Sequence, residues 1–518
     1  MAVAGLLVAR NLVDLDGAPL GAYVDESSIG YNAWAIATHA VDEHGAHLPL
    51  YFTAFGEYKN PVYIYILSAV LRVLPLTVTT ERLPAALLGL LTCACLTLLA
   101  WRRSHSPGVT LVALCLAGLT PWLTVESRVG FEVISLVAAV SAALLCLQLA
   151  QDTGRVVWYG LAGCLLAVAI FAYSTGRVAM GLLAVALVIA HVPDLRRRRL
   201  RWLWTLGPLA AGYAVLEAWN VAHPGALVAR FNVISVAADG APAATVVGRF
   251  AGNYVTYLGP GFLFVDGDHR TRHATQFGGM LLWTTLPLLL LGLVAAWRAR
   301  GEPFVRFLVL GTLAAPVAAA LTQEGTPHSL RAAVMLPFLL VLAVLGLSLL
   351  FTPSWRSRLR EWRATLVAAT VLALLVQGAL YTADMYAAWP ARSALDFDAG
   401  VLDAVSRAHA MAVAGDEPLL LSASLDEPYI QAAFLLRPPP PRSFVADSLS
   451  PLLGEMHAQI VNPQVLPPEP GALAVLSGSD PVPPGSDLVL SEELPAPPLF
   501  SLGPPAPQGL TVAVYRLG

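Results

Sequence analysis

The chain has 518 residues, of which 57% are hydrophobic and only 13% charged, against roughly 45–50% apolar and about 25% charged residues in a soluble globular domain. That balance excludes a water-soluble enzyme, and it excludes an intrinsically disordered chain, which needs the opposite composition. A net charge of −3 with no extended basic face gives no reason to expect a nucleic-acid partner.

The amino terminus opens on a short apolar piece, MAVAGLLVA, followed by Arg10 and Asn11. It is shorter than the roughly 20 apolar residues a spanning helix needs, and it lacks the basic region and cleavage site of a signal peptide. We expect the stub of a truncated first helix. An outer loop, 16–80, follows it. Ten apolar blocks then read as spanning helices: 83–101, 108–125, 133–150, 156–173, 178–194, 202–220, 279–297, 304–321, 332–351 and 364–383.

Two kinds of connector alternate between these blocks. One kind is short and basic: Arg102/Arg103, Arg155, Arg196–Arg199 with Arg201, Arg298/Arg300/Arg306, and Arg356/Arg358/Arg360/Arg363. The positive-inside rule puts this set in the cytoplasm. The other set, 126–132, 174–177, 221–278, 322–331 and everything after about 384, then faces outward with the loop 16–80. It holds nearly all the acidic residues, histidines and tyrosines able to do chemistry.

Composition changes again towards the carboxy terminus, where residues 400–518 hold 20 of the 39 prolines. Ser393–Ala412 reads as an amphipathic helix. Leu419–Ser422, Leu473–Leu476, Asp487–Leu490 and Leu510–Tyr515 read as short strands between Pro/Gly breaks such as Pro438–Pro441 and Pro467–Pro470. Residues 384–518 are therefore expected to form a small extracytoplasmic α/β domain, with a disordered tail as the alternative. The expected organisation is a membrane domain over 1–383 and this second domain after it. Cys93, Cys95, Cys115, Cys146 and Cys164 all lie inside apolar blocks, so they read as small apolar fillers rather than as a zinc site.

The outer loop 16–80 carries the densest chemistry. Asp25 and Glu26 sit at a helix start before Tyr31 and Trp34. Adjacent acids there can serve as a general base and its orienting partner, or simply cap a helix. Lys59 in GEYKNP is the chain's one lysine among 31 basic residues. An ammonium at the interface suits a lipid phosphate; the alternative is a lysine snorkelling to water. In TPWLTVESRVGFE, Arg128 and Glu132 stand at i and i+4, which on a helix would turn both to one cleft, either for an acceptor or as a plain salt bridge. The loop NYVTYLGPGFLFVDGDHRTRHATQFGG concentrates Asp266, Asp268, His269, Arg270, Arg272 and His273, a pattern open to a metal or to a turn beside an anion. Glu324, His328 and Arg331 follow in TQEGTPHSLRAA, where an arginine fork suits phosphate oxygens.

Taken in order, Asp25-Glu26 with YNA, GEYKNP-x-Y, ERLPAALLG and the three later segments resemble the polyprenyl-phosphate-sugar glycosyltransferases of the GT-C fold. The nearest groups are the bacterial dolichyl-phosphate-mannose–protein mannosyltransferase-like and aminoarabinose lipid A transferase-like proteins. The resemblance covers about residues 9–350. It implies an α-helical integral membrane protein of 10–11 spans in a bacterial plasma membrane, its active site facing outward. It implies inverting transfer of a sugar from a polyprenyl-monophosphate donor to a protein, lipid or glycan acceptor. Asp25 would be the general base with Glu26 shaping its field. Lys59 would hold the donor phosphate, with Arg270, Arg272, His328 and Arg331 assisting, and Arg128, Glu132, Asp266 and Asp268 would build the acceptor region. No cofactor is demanded, and a divalent metal stays open. Family members begin with a full spanning helix, where this chain has its stub.

Two other classes compete. A transporter or flippase for lipid-linked saccharides would need ionisable residues at the membrane midplane, where they are scarce. A non-catalytic polyprenyl-phosphate-binding subunit would fit the short amino terminus but leaves Asp25 and Lys59 unexplained.

Overall fold

The computed structural model describes residues 2–197, 199–349, 362–444, 450–466, 469–496 and 501–518. Among the expected features, Arg198, Arg356, Arg358, Arg360, Pro467 and Pro468 lie outside the described residues. The chain forms two compact units: Met1–Val13, Ala85–Ser127 and Glu132–Ala383 make one, and Asp14–Pro84, Arg128–Phe131 and Asp384–Gly518 the other. The first-loop residues thus cluster with the carboxy-terminal residues, rather than with the helices that follow them in sequence.

All ten apolar blocks are helical at their centres. Five lie in helices long and apolar enough to cross a membrane: Val78–Ser104, Val133–Thr153, Gly176–Arg197, Pro303–Ala320 and Arg363–Ala387. Four more are shorter apolar helices, Pro107–Leu119, Val156–Ala172, Thr285–Arg298 and Met335–Leu349, and the block 202–220 lies in Arg199–Ala222. The protein is a multi-pass membrane protein. The block 108–125 is interrupted because Pro121 has no N–H to donate and forces the residue before it into extended backbone. Thr120 accordingly sits at ψ 125°, and a new short helix, Pro121–Glu126, starts there. At the amino terminus, Ala2–Leu12 is an 11-residue helix, fastened where Arg10 donates to the Gly118 carbonyl (2.6 Å) and to Thr124 Oγ1 (2.9 Å).

Within this unit the connectors sort into the two expected sets. Arg102 pairs with Asp152 (3.0 Å) and Arg103 with Glu302 (2.8 Å), so basic connectors meet one another. The other set is knitted separately. Arg230 pairs with Glu324 (2.9 Å), Asn253 donates to the Thr322 carbonyl (2.9 Å), and Arg177 donates to the Leu227 carbonyl (3.2 Å).

The second unit is built on the helix Val24–His39, a hairpin of β1 (Phe52–Ala54) and β2 (Glu57–Lys59), and the helix Pro61–Leu71. Its carboxy-terminal part adds β3 (Leu419–Ser422), β4 (Ala458–Val461), β5 (Leu473–Ser477), β6 (Asp487–Glu493) and β7 (Leu510–Arg516), in the sheet order β4-β3-β5-β7-β6. β4, β3 and β5 run parallel, while β7 is antiparallel to β5 and β6. The inner strands read as unbroken apolar runs, LLLS and LAVLS, as strands covered on both faces do. One face packs Val401, Val405 and Ala408 with Tyr429, Ile430 and, from the first-loop helix, Val24 and Tyr31. An ordered sheet replaces the disordered-tail alternative.

One expectation is corrected here. The helix expected over 393–412 begins only at Val401 and runs Val401–Gly415. Its N-cap, Gly400, adopts φ +86°, a left-handed conformation that suits glycine, and Ser393 instead ends a separate short helix, Trp389–Ser393. β4 and the helix Pro428–Leu436 carried no sequence prediction.

Candidate active site

The helix Val24–His39 starts with the acidic pair, and its two members are treated oppositely. Glu26, the third helical residue, reaches back so that its Oε2 accepts from the Tyr23 amide (3.1 Å), which is half of a capping box. The same carboxylate accepts both arms of the Arg82 fork (2.7 and 2.9 Å) and the Gly130 amide (2.9 Å). Arg82 gives its remaining N–H groups to the carbonyls of Leu15, Pro19 and Gly21, each at 2.7 Å. All five guanidinium donors are therefore matched. Both side chains are buried, at 0% and 1% exposure. Glu26 closes a helix cap and anchors the loop before it.

Asp25 is left facing out. Its side chain is 37% exposed and takes a 2.6 Å ion pair from Lys59, whose own side chain is 12% exposed. Lys59 is delivered by the hairpin: Phe52 pairs with Lys59 and Ala54 with Glu57, so the loop is Phe55-Gly56. Both loop residues have positive φ, +55° and +69°, as tight two-residue hairpin turns require. The turn also puts the Phe55 ring 5.0 Å from the Lys59 ammonium, a favourable cation–π contact.

Glu43 escaped the sequence reading. It is buried, accepting from Asn32 Nδ2 (2.8 Å) and from Tyr429 Oη (3.3 Å), while its own amide donates to Asn32 Oδ1 (2.9 Å). Burial pushes its carboxyl up to about 7, with the His44 charge and the Asn32 hydrogen bond opposing. Arg82 was missed as well. Its signal was available: a Glu-Arg pair opening an apolar block, where charge is expensive unless it is used.

Other expected residues are placed differently from one another. Arg128 and Glu132 do not share a helical turn, because the helix Pro121–Glu126 stops before Arg128 and the next begins at Val133. Arg128 is buried and donates to the carbonyls of Ala18 (2.6 Å) and Asp14, with the Tyr386 ring 5.1 Å away; it holds the loop 14–18. Glu132 is buried in the other unit, at the head of Val133–Thr153.

In that first unit, the loop around Asp268 is folded against the segment around His328. Asp268 is buried. Its Oδ2 accepts from His273 Nδ1 (3.0 Å) and from the Ser329 amide (2.7 Å), and its Oδ1 from the Arg270 amide (2.9 Å). Burial raises its carboxyl, but the His273 and Ser329 hydrogen bonds outweigh that and hold it below the usual carboxylate range. His328, also buried, has its ring 4.5 Å from that of His273. Burial, with the neighbouring His273 and Arg331 charges, pushes its imidazole well below the usual histidine range. Among the described residues its buried Nδ1 has no hydrogen-bond partner. Arg331 donates to the Glu324 carbonyl (2.7 Å) and to Thr322 Oγ1 (3.2 Å). Arg272 is half-buried nearby in sequence, whereas Asp266 and His269 are exposed and outside this cluster. Expected donor-binding residues therefore divide between the units: Lys59 in one, Arg270, Arg272, His328 and Arg331 in the other.

The helical bundle joined to this small sheet has the GT-C fold of membrane glycosyltransferases. Two solved structures share it, both of ArnT from Cupriavidus metallidurans. The form bound to undecaprenyl phosphate is 14% identical with a TM-score of 0.57, and the apo form 16% identical with a TM-score of 0.55. Each alignment covers 99% of this chain and 97% of that one. Residues 58–217 match the model of the family described as dolichyl-phosphate-mannose-protein mannosyltransferase. No curated protein matches the chain.

Proposed function

We propose that this protein is a membrane glycosyltransferase that moves a sugar from a polyprenyl-monophosphate donor to an acceptor hydroxyl, with inversion, at the outer face of a bacterial plasma membrane. The observation that carries the reading is the contrast within the acidic pair: Glu26 is consumed by Arg82 and Gly130, while Asp25 stays accessible beside the chain's one lysine. A base and a cation in contact are what a single displacement at an anomeric carbon needs when the leaving group is a phosphate.

On this reading the acceptor oxygen attacks the anomeric carbon as its bond to the phosphate oxygen breaks. The electron pair leaves with the polyprenyl phosphate and the hydroxyl proton passes to Asp25. Lys59 stabilises the charge that grows on the departing phosphate, so no strong acid is required. The resting Asp25–Lys59 pair opens when the donor phosphate takes the ammonium, which frees the carboxylate to act as base. The undecaprenyl phosphate bound by ArnT is of the lipid class this donor would release.

The test is transfer in proteoliposomes from a panel of labelled polyprenyl-monophosphate sugars to total bacterial envelope, with Asp25→Asn in parallel. Transfer from one donor that vanishes in the variant is the expected result. Absence of transfer from every donor would move the assignment to a lipid-phosphate-binding subunit.

A further inference from the structure

We propose that Arg155, Arg196, Arg197, Arg199 and Arg201 form a binding site for the headgroup of an anionic phospholipid, on the side of the helical unit that the positive-inside rule assigns to the cytoplasm. The five belong to two connectors that meet. One is Gly154-Arg155, between the helices Val133–Thr153 and Val156–Ala172; the other joins Gly176–Arg197 to Arg199–Ala222. The Arg201 guanidinium lies against Gly154, where an added Cβ would come within 2.8 Å of its Nη1. Arg201 is half-buried and the other four are exposed. The helices beneath them are pinned together. Trp202 is buried with its ring edge-on to Tyr159 (5.2 Å) and tilted over His191 (4.7 Å), and Thr205 donates to the Tyr159 carbonyl (2.9 Å).

What separates this cluster from an ordinary basic connector is its lack of partners. Elsewhere on the same side, Arg102 pairs with Asp152 and Arg103 with Glu302. Arg300 donates to the Trp297 carbonyl (3.0 Å), its guanidinium 4.7 Å from the centre of that ring. Among the described residues, none of the five side chains has an acidic partner. The acids nearest in sequence are engaged, Asp152 by Arg102 and Asp194 by Trp202 Nε1 (3.0 Å). Their placement is also unfavourable without an anion. Arg155 is the N-cap of a 17-residue helix, and Arg199 and Arg201 lie in the first turn of a 24-residue one. The helix dipole favours negative charge there and repels cations. A phosphodiester among the guanidiniums offsets that repulsion, and their planar forks suit its oxygens. The surroundings point to a lipid rather than a soluble anion. Val156, Val157, Leu200, Leu203 and Trp204 are exposed apolar side chains bordering the arginines, so acyl chains can continue along the membrane helices where the headgroup ends. Tryptophan is at home at headgroup level, and basic pockets between membrane helices on the cytoplasmic side are where anionic headgroups bind.

This inference does not rest on the transfer reaction, and its readout is lipid, not turnover. The full-length protein is delipidated in detergent and titrated with phosphatidylglycerol or with phosphatidylethanolamine, binding being read by native mass spectrometry. The parent should prefer phosphatidylglycerol. Each arginine near an anionic lipid contributes about fivefold in affinity, so Arg196→Gln, Arg197→Gln and Arg199→Gln together should weaken phosphatidylglycerol binding by roughly 100-fold. Removing three partnered arginines from the same side, by Arg102→Gln, Arg103→Gln and Arg300→Gln, should leave it near the parent value. The proposal is overturned if the two lipids bind the parent equally, or if a soluble polyglutamate peptide displaces phosphatidylglycerol at equal concentration. It is equally overturned if the two triple variants lose affinity alike, since that would be general surface charge. The lipid comparison and the peptide competition use the unaltered protein and so decide the matter even where a variant fails to fold.

Discussion

Neutralising the two adjacent acids one at a time should separate reaction from architecture. Glu26→Gln leaves the Arg82 guanidinium, at 0% exposure, without its counter-charge, although the three backbone carbonyls still receive its other N–H groups. Breaking a buried pair by removing one partner costs about 3–5 kcal/mol. Because glutamine still offers one oxygen, we place this change at the lower end, about 3 kcal/mol. Asp25→Asn breaks an ion pair whose acid is 37% exposed, and exposed pairs contribute roughly 0–1 kcal/mol. Its effect on transfer should be far larger, about 10²–10⁴-fold, the usual contribution of a positioned general base. The assay pairs the thermal unfolding midpoint in detergent with single-turnover transfer in proteoliposomes. Glu26→Gln should lower the midpoint by several degrees, and Asp25→Asn should leave it nearly unchanged while abolishing transfer. Equal destabilisation by the two changes, or transfer by Asp25→Asn above a tenth of the parent rate, would refute the division of roles.

Glu43 gives a pH prediction with a definite sign. Its ordinary value is 4.5 and its folded value about 7, so the unfolded chain loses this proton first as pH rises. Stability from this group is then full below pH 4.5, falls between pH 4.5 and 7, and is reduced by about 3 kcal/mol above pH 7. Glu43→Gln, which keeps an acceptor for Asn32, should raise the unfolding midpoint at pH 8 and leave it unchanged at pH 4; a uniform shift at both would count against the assignment. Gly130→Ala should destabilise strongly, because an added Cβ would meet Glu81 Oε1 at 1.7 Å and push the Gly130 amide off Glu26. Overpacking of this kind costs about 1–3 kcal/mol, read as lost thermal stability. Lys59→Ala should move the midpoint little, since its partner is half-exposed, but raise the donor KM and slow transfer; a parent-like KM would remove the lysine from donor binding.

The helical bundle was legible because a bilayer forces long apolar runs and sorts arginines to one side of them. Every expected block is helical. What misled was the assumption that a segment is one helix from end to end: Pro121 divides one block, and the amphipathic segment in the other unit becomes helical only after Gly400. The hairpin that carries Lys59 was readable in principle, since an X-Gly pair between apolar strands is a turn signal, but strands of three residues give periodicity too little to work with. β4 was hidden for a related reason. AQIV is short, and only its pairing with β3 makes it a strand.

The roles of single charged residues were harder to read, because a charge acquires its job from partners far away in sequence. Glu26 and Asp25 are neighbours, and nothing local says which will turn inward; Arg82, 56 residues on, decides it. Asp268 and His273 are close in sequence, yet the third member of their cluster, His328, is contributed by another connector. The arginines follow a rule that composition could not reveal. Arg82 and Arg128 each bind loop carbonyls that have no helix or strand to satisfy them. Such a loop needs a rigid fork with several donors at fixed angles, which lysine cannot supply. The lone lysine is found instead at the end of a hairpin strand, on a flexible stem beside an accessible carboxylate. A compact point charge that can exchange partners suits a phosphate that comes and goes. The choice of lysine at 59, in a chain that otherwise uses arginine, is thus explained by the exchange that transfer would require.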